Sequence, residues 1–134
     1  MKAIQTALII IVLITLNIHS ALGCVCPVIT VKQGIAGADA VFSGTAKRVS
    51  DTEWIVEIER IWKGKSMAKQ VTVRDPAPMT SCSRRLNDGE RYIIFTKVKI
   101  EQGQRIYYLD ACNWLLKYPE AGKYLRQMGK GRVA

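Results

Sequence analysis

Histidine is nearly missing from this sequence. The 134 residues contain one, His19, and it falls in a segment that reads as a removable leader. Residues 24–134 contain none, which excludes Ser-His and Cys-His nucleophilic mechanisms and imidazole acid–base chemistry from a mature chain. Acidic residues are also scarce, 11 against 20 Lys and Arg. Asp75 and Glu90 read as solvated surface charges, and no pair of carboxylates suggests an acid–base site. Repeats, linkers and low-complexity runs are absent, and after residue 16 no apolar stretch is long enough to cross a bilayer. The expectation is a protein that is not an enzyme.

What is present begins with the leader. Met1 and Lys2 give a positive start, residues 7–16 are almost all apolar, and polar Asn17, His19 and Ser20 follow. Ala21 and Gly23 fit the −3 and −1 positions of a signal peptidase site, so residues 1–23 read as a signal peptide cleaved before Cys24. The apolar core is short for a membrane anchor. The remaining domain, residues 24–134, loses only one charge, Lys2, and falls from +9 to +8. In a bacterium, Cys24 offers a second reading as an acylated lipoprotein cysteine, which blocks its amine.

All four cysteines, Cys24, Cys26, Cys82 and Cys112, lie in the mature part. An even count in a small secreted chain reads as two disulfides. A Cys24–Cys26 bridge closes a very small ring; the other two pairings both tie the N-terminus to distant points. Four thiolates on one zinc is the weaker reading, because two Cys-x-x-Cys knuckles are lacking.

Hydrophobic patterning gives the rest. Thr30-Val31-Lys32-Gln33 has capping-box form and starts a short helix. Strands are expected at 40–49, 54–62, 70–74, 91–99 and 104–110, separated by turn signals at Ser50-Asp51-Thr52, Lys63-Gly64, Asp75-Pro76-Ala77-Pro78, Asn87-Asp88-Gly89 and Gln102-Gly103. In the second strand, alternation puts Trp54, Val56, Ile58 and Arg60 on one face and Ile55, Glu57, Glu59 and Ile61 on the other. Pro119 starts a last helix that turns Leu125 and Met128 to one side and ends at Gly129. Five short strands with flanking helices suggest a small closed or partly open β-barrel. The tryptophans, Trp54, Trp62 and Trp114, are core or half-buried strand residues.

The start Cys24-Val25-Cys26-Pro27 resembles the N-terminal domain of the tissue inhibitors of metalloproteinases, a branch of the netrin-like modules. Further segments are similar in the same order: Gly37-Ala38-Asp39-Ala40-Val41, Ile58-Glu59-Arg60-Ile61-Trp62-Lys63-Gly64, Leu86-Asn87-Asp88-Gly89-Glu90-Arg91-Tyr92, and Cys112-Asn113-Trp114-Leu115. The resemblance implies a mainly β fold: a five-stranded OB-like closed barrel with two or three flanking short helices and two disulfides, Cys24–Cys82 and Cys26–Cys112. It covers the inhibitory domain only. A third bridge usual in vertebrate members is lacking, with Ala36 and Lys130 where its cysteines fall. Pro27 comes earlier than in those members, and the hairpin at Ser50–Glu53 is shorter.

The resemblance also implies a mechanism. Cleavage gives Cys24 a free α-amine, whose ordinary pKa of about 7.7–8.0 leaves a sizeable neutral fraction. That nitrogen and the Cys24 carbonyl oxygen close a five-membered chelate on a metal ion. On the catalytic zinc of a metalloprotease the chelate displaces the bound water, the nucleophile of the reaction. Val25 enters the primed-side pocket. The loop Met79-Thr80-Ser81-Cys82 takes the unprimed side, with Thr80 and Ser81 as contacts beside Cys24, Val25, Cys26 and Pro27. The chain then needs no cofactor of its own; its metal is the target's zinc, its partners are zinc metalloproteases, and it acts outside the cell as a monomer. The other reading is a non-inhibitory netrin-like extracellular module. For it, Arg84-Arg85 and residues 123–132 offer a basic surface for sulfated glycosaminoglycans. Nucleic acid is not expected for a secreted, disulfide-bonded chain.

Overall fold

The computed structural model describes Met1 and residues 23–134. The expected signal segment, His19 included, lies outside the described residues apart from Met1 and Gly23. None of the described helices is long and apolar enough to cross a membrane.

After an extended segment, helix α1 (Val31–Gly37) starts at Thr30 through the expected capping box. The Gln33 N–H donates to Thr30 Oγ1 at 3.2 Å, and the Thr30 N–H donates to Gln33 Oε1 at 2.8 Å. Strands β1 (Ala40–Arg48), β2 (Glu53–Lys63), β3 (Gln70–Arg74), β4 (Arg91–Glu101) and β5 (Gln104–Leu109) follow. They run in the order β1-β2-β3-β5-β4, and β4 pairs back onto β1. The result is a closed, mixed, five-stranded OB-like barrel. Only the β3–β5 contact is parallel; the Gln102-Gly103 turn, with φ of 49° and 77°, makes the β4–β5 hairpin.

Two short strands that sequence patterning does not reveal sit outside this ring. Strand β6 (Leu115–Lys117) pairs with β4, and β7 (Arg132–Val133) pairs with β2. Runs of two and three residues are too short for alternation to register. Between them lie a 3-10 turn at Tyr118–Glu120, with Pro119 in its first turn, and helix α2 (Gly122–Met128). The last helix therefore begins as a 3-10 turn and becomes α-helical only after Ala121. As expected, Leu125 and Met128 share a face, packed on the second hydrophobic cluster.

The face assignment in β2 needs correction at its end. Trp54, Val56 and Ile58 face the core as expected, but Ile61 joins them and Arg60 is half-buried outside. The cause is a register shift: Ser43 pairs with Arg60 and Gly44 with Ile58, which leaves Glu59 as an extra residue. Such a bulge reverses the alternation beyond it. Gly44 is needed there, since a Cβ would meet the Glu57 carbonyl oxygen at 2.2 Å.

Inside the barrel, Trp54, Phe42, Val56, Val73 and Ile94 are buried to 1% exposure or less, and each large apolar side chain contributes about 1.5–3 kcal/mol. A second cluster lies between the barrel wall and the helices: Val31, Val41, Ile93, Phe95 and Leu116, with Trp62 and Trp114 half-buried against it. This layer fixes α1, and therefore the segment before it, to the barrel. Gly34 allows the closest approach, because a Cβ there would lie 2.6 Å from Asn113 Oδ1. Asn113 Nδ2 donates to the Gly34 carbonyl at 2.9 Å, and its Oδ1 accepts from the Trp114 N–H at 2.8 Å.

Candidate functional site

Three pieces of chain meet at one edge of the barrel: residues 24–30, the loop after β3, and the loop between β5 and β6. The disulfides Cys24–Cys82 and Cys26–Cys112 join them, with Cα separations of 5.1 and 5.0 Å. These bridges close 58 and 86 residues, and by the chain-entropy model each loop of that size contributes about 4 kcal/mol. The sulfurs of Cys24, Cys26 and Cys112 lie within 4.8 Å of one another, so the two bridges are stacked side by side. All four sulfurs are used up in them, which removes the four-thiolate zinc reading; among the described residues no other group of His, Cys, Asp and Glu is gathered closely enough to hold a metal ion.

Pinning positions 24 and 26 sets the direction of the residue between them. In an extended segment neighbours point opposite ways. Cys24 and Cys26 turn inward and are half-buried, and Val25 projects at 91% exposure. Pro27 and Val28 are exposed as well.

The loop after β3 is built around Asp75, and here the expectation of a solvated charge is wrong. Asp75 is 4% exposed. Its Oδ1 accepts from the Ala77 N–H at 3.0 Å and the Arg84 N–H at 3.2 Å, while Oδ2 accepts from the Ser83 hydroxyl. A buried carboxylate held by several donors is well compensated. Arg84 is likewise committed. Its Nε and Nη2 donate to the Ala111 carbonyl at 3.1 and 2.8 Å, and Nη2 also reaches the Asn113 carbonyl at 3.0 Å. Those carbonyls flank Cys112, so Arg84 clamps one disulfide loop to the other. It is therefore not part of a free basic surface, although Arg85 is exposed.

Within this loop, Ser81 and Thr80 differ. The Cys24 nitrogen donates to Ser81 Oγ at 3.1 Å, which places the serine hydroxyl directly against that backbone nitrogen. Thr80 Oγ1 instead donates to the Ala77 carbonyl at 2.6 Å and accepts from the Cys82 N–H at 3.2 Å; it shapes the loop. Met79, which the resemblance places in this loop, is not singled out as a contact by the sequence. It is 99% exposed with a left-handed φ of 64°, and its only signal was an apolar residue stranded in a polar, proline-rich loop.

Charges away from this edge brace the barrel. Glu90 is half-buried rather than fully solvated, and hydrogen bonds from Tyr92 and Lys117 hold its carboxyl below the usual range. Glu101 is lowered by the Tyr108 hydroxyl and by Arg74, which also bonds Glu53 at 2.5 Å.

No family model matches this chain, and no curated protein does. Among solved structures, the crystal structure of Ancylostoma ceylanicum excretory-secretory protein 2 is similar to it at 18% identity and a TM-score of 0.40, over 72% of this chain and 95% of that one.

Proposed function

We propose that residues 24–134 form a secreted inhibitor of zinc metalloproteases, which acts by chelating the target's catalytic zinc through the amine and carbonyl of an N-terminal Cys24. The observation that carries this reading is the pinned edge: two adjacent disulfides at positions 24 and 26, with the Cys24 nitrogen on Ser81 Oγ. Preorganisation of this kind reduces the ordering cost of binding. Two disulfides also fit an oxidising, extracellular setting. Val25 supplies a projecting apolar side chain beside the chelating group, and the loop bearing Met79 and Ser81 supplies a second contact region on the other side of the zinc. The chain brings no metal; the zinc and its three protein ligands belong to the target.

The chelate and a small hydroxamate need the same coordination sites. Inhibition by the mature chain is therefore expected to be mutually exclusive with a hydroxamate on a responsive zinc metalloprotease. Dose–response matrices of the two inhibitors test this. Parallel lines in a double-inhibition plot are the expected result; simultaneous binding of both contradicts zinc chelation.

A further inference from the structure

Met79 differs from every other sulfur-bearing residue of the domain. Residues 24–134 contain the methionines Met67, Met79 and Met128 and the four cysteines. All four cysteines are held in the two disulfides. Met67 packs against the barrel core and Met128 against the second hydrophobic cluster, and both are partly buried. Met79 is 99% exposed. Its thioether is the soft, polarizable group that a reagent in solution meets first.

The backbone presents Met79 in a conformation that its side chain disfavours. The Thr80 N–H donates to the Ala77 carbonyl at 3.3 Å, which closes a turn over Ala77-Pro78-Met79-Thr80. Proline in the second place and a φ of 64° in the third are the marks of a type II turn, whose third place glycine ordinarily fills. A methionine there is strained and persists only where its surroundings over-determine it. They do so here. Thr80 Oγ1 bonds the Ala77 carbonyl and the Cys82 N–H, and Cys82 is bridged to Cys24. The outcome is an apolar apex carried on a rigid loop directly beside the Cys24 edge.

We propose that Met79 is an oxidation site, and that its conversion to the sulfoxide by a peroxide weakens inhibition. The proposal rests on the inhibitor reading, in which this loop is the second contact region. A sulfur lone pair attacks one oxygen of hydrogen peroxide and forms an S–O bond. The O–O bond breaks, and the other oxygen leaves as water once the protons are shared out. Sulfur is oxidised by two electrons and the peroxide is reduced. The product is polar where the thioether was apolar. Buried against a protease surface, its oxygen loses water without a guaranteed hydrogen-bond donor. No thiolate competes for the peroxide, because the disulfides leave none. The Cys24 nitrogen and carbonyl are untouched, so the step changes contact strength and not the chelating group.

The test treats the mature chain with hydrogen peroxide, maps the oxidised peptides by mass spectrometry, and measures inhibition constants on a responsive zinc metalloprotease. Met79 is expected to gain oxygen at least about tenfold faster than Met67 or Met128, with circular dichroism unchanged and inhibition weakened about tenfold. For M79L, the inhibition constants before and after the same treatment should agree within about twofold, since leucine carries no sulfur. Oxidation spread evenly over the three methionines overturns the proposal. So does an M79L chain that loses as much on treatment as the unaltered one. A chain that inhibits equally well before and after complete Met79 oxidation overturns this proposal alone. An untreated chain that inhibits no zinc metalloprotease overturns the inhibitor reading and this proposal together.

Discussion

One alanine added ahead of Cys24 is expected to abolish metalloprotease inhibition, with a loss of at least about a hundredfold, while the fold survives unchanged. The extra residue converts the Cys24 amine into an amide, whose nitrogen carries no lone pair for zinc, and puts a Cβ and a new amine where the zinc should be. Among the described residues that nitrogen bonds Ser81 Oγ, at 3.1 Å, a contact an amide N–H makes equally well. Thermal melting of the extended and native mature chains should therefore agree within a few degrees. Inhibition constants on a panel of zinc metalloproteases give the decisive comparison, after N-terminal sequencing has established that the native chain starts at Cys24. Equal inhibition by the two chains excludes the chelate.

Replacing Cys26 and Cys112 by alanine is expected to cost about 2–5 kcal/mol of stability, read from urea denaturation. This bridge closes an 86-residue loop and leaves both chelating atoms in place. Its loss affects function by a different route. The turn at residues 110–113 stays anchored through the Cys112 N–H on Asp110 Oδ1 and through Arg84 on the Ala111 and Asn113 carbonyls, but the segment after Val25 is no longer held to it. Inhibition is expected to weaken by about ten- to a hundredfold under conditions where the variant is fully folded, since binding must then order the freed segment. Unchanged inhibition by a destabilised but folded variant shows that the second bridge serves stability alone.

Local signals made most of the barrel legible. The capping box at Thr30–Gln33 and the Gln102-Gly103 turn are written in a few adjacent residues, and alternation marks the strands well. Long-range features were hidden. The bulge at Glu59 arises from how β2 meets Gly44, so periodicity alone put Ile61 on the wrong face. Asp75 sits before Pro76-Ala77-Pro78 and reads as a solvated loop charge; only when the loop closes do Ser83 and the Arg84 N–H become its donors. Arg84 beside Arg85 looks like a basic pair, yet the carbonyls that take its guanidinium are more than 25 residues away. At the candidate site, the even cysteine count and the Cys24-Val25-Cys26 spacing were visible, and so was Ser81. Met79 was visible only as a member of its loop, because exposure in a left-handed turn leaves no periodic trace.

Coordination of zinc by Cys24 is measured by the crystal structure of the mature chain bound to a zinc metalloprotease. The Cys24 nitrogen and carbonyl oxygen are expected each about 2.0–2.2 Å from the metal, in place of the bound water. A zinc that keeps its water, with Cys24 outside coordination distance, contradicts it.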